Sequence, residues 1–419
     1  MSNVIGLRCI HCGQVYSADA VEYFCPACGY ENGILDVLYD YEAAGKQLSR
    51  ATLGANSDRS IWRYLPLLPV EDKRILPHLQ VGWTPLYEAS PLASSLGVAR
   101  CWVKDEGRNP TASFKDRASA IGVVKAQEKK AAKIACASTG NAASSLAGFS
   151  ASAGLPTAIF VPANAPHAKV AQLLVFGAEV FSVQGTYDEA WELCMRACAE
   201  FGWYNRNCAI NPYLIEGKKT VSLELAEQFA YLTPGAFPDW VVVSVGDGCT
   251  VGGVWKGLRE MHRLGLIPRL PRILGVQAEG CKPFISAWKS DGALIPCTAN
   301  TLADSIGVGH PRNFVKGMRA VTESGGAFVS VTDREILHAI PELARLAGVF
   351  GEPAGVAAVA GVRRAVELNV IHRSESVALI VTGNGLKDIQ SAMRAVSGAI
   401  LVQPSMEEIR RHVEVTVTA

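Results

Sequence analysis

The chain has 419 residues and a formal net charge of +1, with 40 basic and 39 acidic side chains. Hydrophobic residues make up 49% and charged residues 19%, which fits a globular protein of two or three domains and excludes general disorder. The balanced charge gives no basis for binding nucleic acid or an anionic membrane, and residues 1–12 lack a signal-peptide core, so we expect a cytoplasmic protein.

Two cysteine pairs lie near the start of the chain, with twelve residues between them and a glycine after each pair. Such glycines permit the tight turn that directs two thiolates at one ion. The spacing predicts a closed, structural Zn2+ site on Cys9, Cys12, Cys25 and Cys28. The alternative is a reduced, metal-free cluster. We therefore expect a zinc-ribbon-like knuckle over residues 1–35 and a connecting arm over residues 36–80.

The next informative stretch, residues 109–117, reads Asn-Pro-Thr-Ala-Ser-Phe-Lys-Asp-Arg. Ser113 is a good N-cap and Asp116 completes a capping-box pattern, so we expect a helix that begins at Phe114 or Lys115. The helix dipole disfavours positive charge in this first turn, which lowers the pKa of a lysine and suits an amine that attacks an aldehyde. The alternative is an exposed lysine without a role.

An apolar strand over residues 134–138 is followed by a loop and a helix of small residues that ends at about Ala153. The loop reads Thr139-Gly140-Asn141-Ala142. Open α/β sheets bind ligands beyond the carboxyl ends of their strands, so Ser138, Thr139 and the free amides of the helix predict a carboxylate site. An ordinary helix cap is the alternative.

A second strand, residues 240–245, leads to a glycine-rich loop, Gly246-Asp247-Gly248-Cys249-Thr250, and a helix. Backbone amides and the helix dipole can hold a phosphate there without a lysine. Val251 breaks the dinucleotide fingerprint, and the Gly-Lys of a Walker loop is missing. A structural turn is the alternative. A last strand, residues 376–381, precedes Thr382-Gly-Asn-Gly.

These segments stand in the order of a known family. Residues 109–117 resemble the lysine segment of the threonine synthases and their relatives among fold-type-II pyridoxal 5′-phosphate enzymes, which usually have glycine in place of Ala112. The resemblance implies an α/β class, the type-II (tryptophan-synthase-β-like) fold, with the cofactor between two doubly wound domains. It further implies a large domain from residues 81–115 with 206–402, a small domain over residues 116–205 and a tail over residues 403–419.

The same resemblance assigns roles to residues. Lys115, after Phe114, would carry pyridoxal 5′-phosphate as a Schiff base, while Asn141 would bond its 3′-oxygen and Thr382 its pyridine nitrogen. The family loop for the cofactor phosphate corresponds to Gly246, Asp247, Gly248, Cys249 and Thr250, with the Asp247 carboxylate turned away. Substrate-binding candidates are Ser138, Thr139, Gly140, Asn141, Ala142 and Lys104.

The implied enzyme is a lyase that converts O-phospho-L-homoserine and water to L-threonine and phosphate. Its partner would be a small amino acid, with neither nucleic acid nor membrane, and a homodimer is one option for its assembly. Threonine synthases often read Asn-Pro-Tyr-Arg-Ile-Glu-Gly where this chain has Leu214 in place of the arginine. Lys104, Lys218 or Arg312 could supply the missing charge.

Two alternatives stay open. The first is a pyridoxal-phosphate-dependent dehydratase, ammonia-lyase or β-replacing synthase, since residues 301–304 and 351–355 look somewhat like segments of such enzymes. The second is a non-catalytic zinc-knuckle protein that binds a partner.

Overall fold

The computed structural model describes residues 2–232 and 236–418. Its strands are β1 (Val4–Cys9), β2 (Val15–Tyr16), β3 (Leu35–Tyr39), β4 (Leu86–Glu88), β5 (Arg100–Asp105), β6 (Ile134–Ala137), β7 (Thr157–Pro162), β8 (Glu179–Val183), β9 (Tyr204–Asn205), β10 (Trp240–Ser244), β11 (Arg272–Ala278), β12 (Ala327–Val331) and β13 (Ser376–Val381).

Its helices are α1 (Gly29–Asn32), α2 (Tyr41–Gln47), α3 (Arg50–Ala55), α4 (Ser90–Leu96), α5 (Lys115–Glu128), α6 (Asn141–Ser152), α7 (His167–Val175), α8 (Tyr187–Phe201), α9 (Tyr213–Leu232), α10 (Cys249–Arg263), α11 (Pro283–Trp288), α12 (Phe314–Glu323), α13 (Asp333–Ala347), α14 (Pro353–Glu367), α15 (Ile389–Arg394) and α16 (Met406–Thr418). None of these helices has both the length and the apolar composition needed to cross a bilayer.

The strands form three sheets. The largest has the order β12-β11-β10-β13-β5-β4 and is parallel except for β4, which pairs antiparallel with β5 at the edge. A second sheet, β8-β7-β6-β9, is wholly parallel. The N-terminal sheet, β2-β1-β3, is antiparallel and extends to Tyr39, beyond the expected end of the knuckle at residue 35.

Helices cover both faces of the two parallel sheets, which explains why their strands read as continuous apolar runs. Every residue of β10 is buried, and so is every residue of β13 after the first. One face of the large sheet packs against α4, α13 and α14, and the other packs against α9, α10 and α12. The small sheet packs against α5 and α6 on one face and α8 on the other.

The helix α5 begins where the sequence predicts, but the predicted capping box is absent. The Ser113 hydroxyl is buried without a hydrogen-bond partner, and Asp116 accepts from the Thr111 amide at 2.7 Å. The Phe114 amide donates to the carbonyl of Thr382 at 2.8 Å. A contact with the segment after β13, rather than a local cap, therefore fixes the start of this helix.

A buried ion-pair network holds α5 against α9 and β5. Arg117 contacts Glu106 at 2.7 Å and Glu224 at 2.6 Å, and Lys104 contacts Glu224 at 2.9 Å. All four side chains are fully buried. Burial alone would raise the pKa of Glu224, but Arg117 and Lys104 outweigh it and lower that pKa to about 2. The Glu224 carboxylate is thus ionised, and the network sets two acidic side chains against two basic ones.

Candidate active site

A cavity of about 1310 Å3 lies at the carboxyl ends of strands from both parallel sheets. The loops after β6, β10 and β13 all contribute to its wall, as expected where α/β sheets bind ligands. Its lining includes every cofactor-binding candidate: Phe114, Lys115, Asn141, Gly246, Asp247, Gly248, Cys249, Thr250 and Thr382. Ser138, Thr139, Gly140 and Ala142, expected to bind substrate, lie there as well.

Lys115 is the first residue of α5 and faces this cavity. Burial, reinforced by the positive charge of Lys218, lowers its pKa to about 8. A sizeable fraction of the amine is therefore neutral near physiological pH, as a nucleophilic lysine requires. The preceding turn is strained, because Ala112 has φ +64° where the resembling family has glycine.

Asn141, the first residue of α6, meets an acid that the sequence did not identify as part of the site. Its side-chain amide donates to both carboxylate oxygens of Glu352, at 2.9 and 2.8 Å. Burial raises the pKa of Glu352 to about 7, with the Asn141 hydrogen bond opposing the shift. A Cβ at Gly383 would lie 2.4 Å from Glu352 Oε1, so only glycine fits beside this carboxyl group. The sequence offered one signal, an acid between Gly351 and Pro353.

The glycine-rich loop forms a cradle in which its glycine positions leave no room for a side chain. Gly248 has φ +92°, and a Cβ there would lie 2.4 Å from the carbonyl oxygen of Asn313. The Asp247 carboxylate accepts from the amide of Arg312 at 2.8 Å and from the side chain of Asn313 at 3.2 Å. It is thus held by residues 312–313, while the free amides at the start of α10 stay available for an anion.

The cavity fits pyridoxal 5′-phosphate by its own chemistry. An amine with a lowered pKa stands at Lys115, and a glycine cradle at a helix N-terminus can take a phosphate. Ser244, at the end of β10, lines the cavity, and its hydroxyl is buried without a hydrogen-bond partner among the described residues. An unpaired buried hydroxyl indicates a polar ligand, because leaving it unsatisfied costs free energy.

Lys104, expected to contact substrate, does not line the cavity. Its ammonium group lies inside the protein, where it donates to Glu224 at 2.9 Å, Gln228 at 2.8 Å and the carbonyl of Thr84 at 2.7 Å. These three acceptors use all three of its protons. Lys218 and Arg312, the other two cations considered for the missing charge, do line the cavity, and so does Arg206.

The four N-terminal cysteines come together beside the cavity. The sulfurs of Cys9, Cys12, Cys25 and Cys28 all lie within 4.8 Å of one another, so they could hold a metal ion. The helix α1 follows directly, and its Tyr30 and Glu31 line the cavity. The cluster therefore adjoins the wall of the cavity and contributes no sulfur to it.

Comparison with known proteins identifies relatives along almost the whole chain. A family model described as "Pyridoxal-phosphate dependent enzyme" matches residues 78–383. The threonine synthase of Methanosarcina acetivorans is 41% identical over 407 residues, which is 96% of this chain and 97% of that protein. The threonine synthase of Methanocaldococcus jannaschii is 38% identical over 96% of this chain and 98% of its own.

Solved structures resemble the fold at lower identity. Maize serine racemase superposes with a TM-score of 0.63 at 21% identity, over 80% of this chain and 93% of its own. Diaminopropionate ammonia lyase from Escherichia coli gives a TM-score of 0.64 at 19% identity, over 75% of this chain and 87% of its own. At these identities the likeness concerns the fold alone, and it confirms the type-II arrangement predicted from the sequence.

Proposed function

Since the chain belongs to the family of pyridoxal-phosphate dependent enzymes, we propose that it is a threonine synthase, acting on O-phospho-L-homoserine and water to give L-threonine and phosphate. The observation that carries the proposal is the near full-length match to proteins of that activity, combined with a cavity that gathers all the motif loops. Membership of this family and the match to threonine synthases indicate a lyase, so the alternative of a non-catalytic zinc-knuckle protein is set aside.

Two loops would hold the ligands in this proposal. The amides of residues 246–250 and the N-terminus of α10 would bind the cofactor phosphate, with Thr382 at the pyridine nitrogen. A hydroxyl partner leaves that nitrogen largely unprotonated. Ser138, Thr139 and the first-turn amides of α6 would orient the substrate carboxylate. The side-chain amide of Asn141, which now donates to Glu352, would donate to the 3′-oxygen of the cofactor instead.

Bound pyridoxal 5′-phosphate supplies an aldehyde for amines and an electron sink for carbanions at the adjacent carbons. The protein supplies the proton transfers. Neutral Lys115 can take protons from the substrate Cα and Cβ and return protons to Cγ and Cα, since its pKa is lowered to about 8. In the balanced reaction Cβ loses a proton, the Cγ–O bond breaks and phosphate leaves, Cγ gains a proton, and Cβ gains the hydroxyl of water, whose other proton leaves with the phosphate.

We also propose that the cysteine cluster binds a structural Zn2+. Four thiolates about 2.3 Å from a tetrahedral zinc lie about 3.8 Å apart. The sulfurs of Cys12 and Cys25 are 3.8 Å apart, which supports that geometry. All four ligand positions are protein sulfurs, so the ion would have no open position for chemistry.

The function is tested by assaying one preparation against several amino acids. Phosphate and L-threonine are measured with O-phospho-L-homoserine, and ammonia is measured with L-serine, L-threonine and diaminopropionate. The proposal predicts equimolar phosphate and L-threonine, with ammonia release far slower. If one of the other amino acids yields ammonia and O-phospho-L-homoserine is not turned over, the enzyme is a dehydratase or ammonia-lyase instead.

A further inference from the structure

Buried cations in this protein are, as a rule, neutralised by carboxylates. The fully buried pairs are Arg63 with Glu227, Lys104 with Glu224, Arg117 with Glu106 and Glu224, and Lys219 with Glu216 and Glu260. This pairing is expected, because an uncompensated charge in the interior is costly.

Arg206 and Lys218 break that rule. Each is only 2% exposed, and both line the cavity that contains Lys115. Within residues 2–232 and 236–418 neither has a carboxylate within 4.0 Å. Arg206 donates to Ser119 Oγ at 3.0 Å and to Cys208 Sγ at 3.5 Å. Lys218 has no hydrogen bond to any described residue. Two buried cations that face one cavity without a carboxylate partner indicate that the cavity receives an anion.

Nearby groups respond to this positive charge. The pKa of the Cys208 thiol is well below its usual value, because of a hydrogen bond from Cys249 and the charges of Lys218 and Arg206, with burial opposing them. The carboxylate of Asp247 also lies in this part of the cavity wall, but it is engaged by the Arg312 amide and by residue 313. Neither Arg206 nor Lys218 forms an ion pair with this carboxylate, so both cations stay available to a ligand.

The packing shows how these cations relate to Leu214, which stands where threonine synthases often have arginine. Lys218 follows Leu214 by four residues on α9, so both side chains lie on the same face of that helix. A Cβ at Gly122 would lie 3.0 Å from Leu214 Cδ2 and 3.6 Å from Arg206 Cγ. Leu214 and Arg206 therefore lie close together against Gly122, and of the two only Arg206 lines the cavity.

We propose that Arg206 and Lys218 form the receptor for a phosphate group other than that of the cofactor, namely the phosphate of the substrate. This inference rests on the proposed function. The guanidinium group of Arg206 suits two-point binding of phosphate oxygens, and the Lys218 ammonium group adds a compact second charge. The glycine cradle already offers the cofactor phosphate a site built from backbone amides, so that group needs neither side chain.

The test measures binding of inorganic phosphate to the holoenzyme by calorimetry. Arg206→Gln and Lys218→Gln should each weaken binding by about ten- to a hundredfold, the effect of losing one charge-assisted contact. Lys46→Gln, at an exposed surface ion pair, is the matched control and should change nothing. The visible band of the bound cofactor, recorded on each variant, confirms that the site is still loaded. Unchanged phosphate affinity in both cavity variants would overturn the proposal.

A second arm separates the two phosphates. Affinity of the apo protein for pyridoxal 5′-phosphate should be unaffected by Lys218→Gln. If that affinity falls while the holoenzyme still binds inorganic phosphate normally, the pair serves the cofactor and the proposal is wrong.

Failure of the receptor and failure of the proposed function look different. Phosphate binding that depends on Arg206 and Lys218, without turnover of O-phospho-L-homoserine, would refute the activity and support the receptor. Turnover of O-phospho-L-homoserine with unchanged kcat/KM in both variants would support the activity and refute the receptor.

Discussion

Replacing Arg117 should reveal how strongly the buried ion-pair network stabilises the helix that presents Lys115. Arg117 donates to Glu106 at 2.7 and 2.8 Å, to Glu224 at 2.6 and 2.8 Å, and to Thr220 at 2.9 Å. Arg117→Met leaves two buried carboxylates against one cation. Breaking a buried pair in this way costs about 3–5 kcal/mol, and we expect the free energy of unfolding in urea to fall by about that amount.

The charge-balanced double variant is the control. Arg117→Met with Glu106→Gln leaves Lys104 paired with Glu224, so its loss of stability should be smaller than the sum of the two single losses by at least about 2 kcal/mol. If the losses simply add, Arg117 stabilises the protein through packing and the electrostatic reasoning is refuted.

Three further predictions concern the site and the cysteine cluster. In the apo protein, the rate at which acetic anhydride acetylates Lys115 should rise with pH and level off above the pKa of about 8. The rates at exposed lysines should keep rising at higher pH. A rate at Lys115 that also keeps rising would contradict the lowered pKa. The raised pKa of Glu352, about 7 against an ordinary 4.5, favours the protonated carboxyl group in the folded state. Apo-protein stability should therefore fall by about 3 kcal/mol as the pH rises from about 4.5 to 7, and Glu352→Gln should abolish that slope; an unchanged slope would contradict this. Metal analysis should find one zinc per chain in the wild type and little in Cys25→Ser. That variant should unfold more easily, while its turnover rate per folded molecule should change little. Wild-type protein without zinc would contradict the assignment.

The loops of the site could be predicted because their signals are local. A glycine-rich turn after an apolar strand and before a helix has one common geometry, and the loop at residues 246–250 adopts it with Gly248 in the left-handed region. The type-II fold followed from motifs standing in family order, and the fold comparisons confirm it. Four cysteines in two close pairs likewise met at one point.

What the sequence could not show depends on contacts between distant segments. Lys104 was expected at the substrate, but Glu224, 120 residues further on, holds it inside the protein. Ser113 matched a capping pattern, yet pairing with the segment after β13 sets the start of α5 instead. Arg206 carried no motif signal, and only the fold brings it beside Lys218.

The proposed attachment of the cofactor to Lys115 can be tested by chemical reduction. The holoenzyme is reduced with borohydride, which fixes the cofactor to the amine that holds it, and the labelled peptide is mapped by mass spectrometry. We expect a single pyridoxyl group on Lys115, lost in a folded Lys115→Ala variant that no longer turns over substrate. A label on Lys218, which lines the same cavity, would show that the cofactor is held by a different lysine.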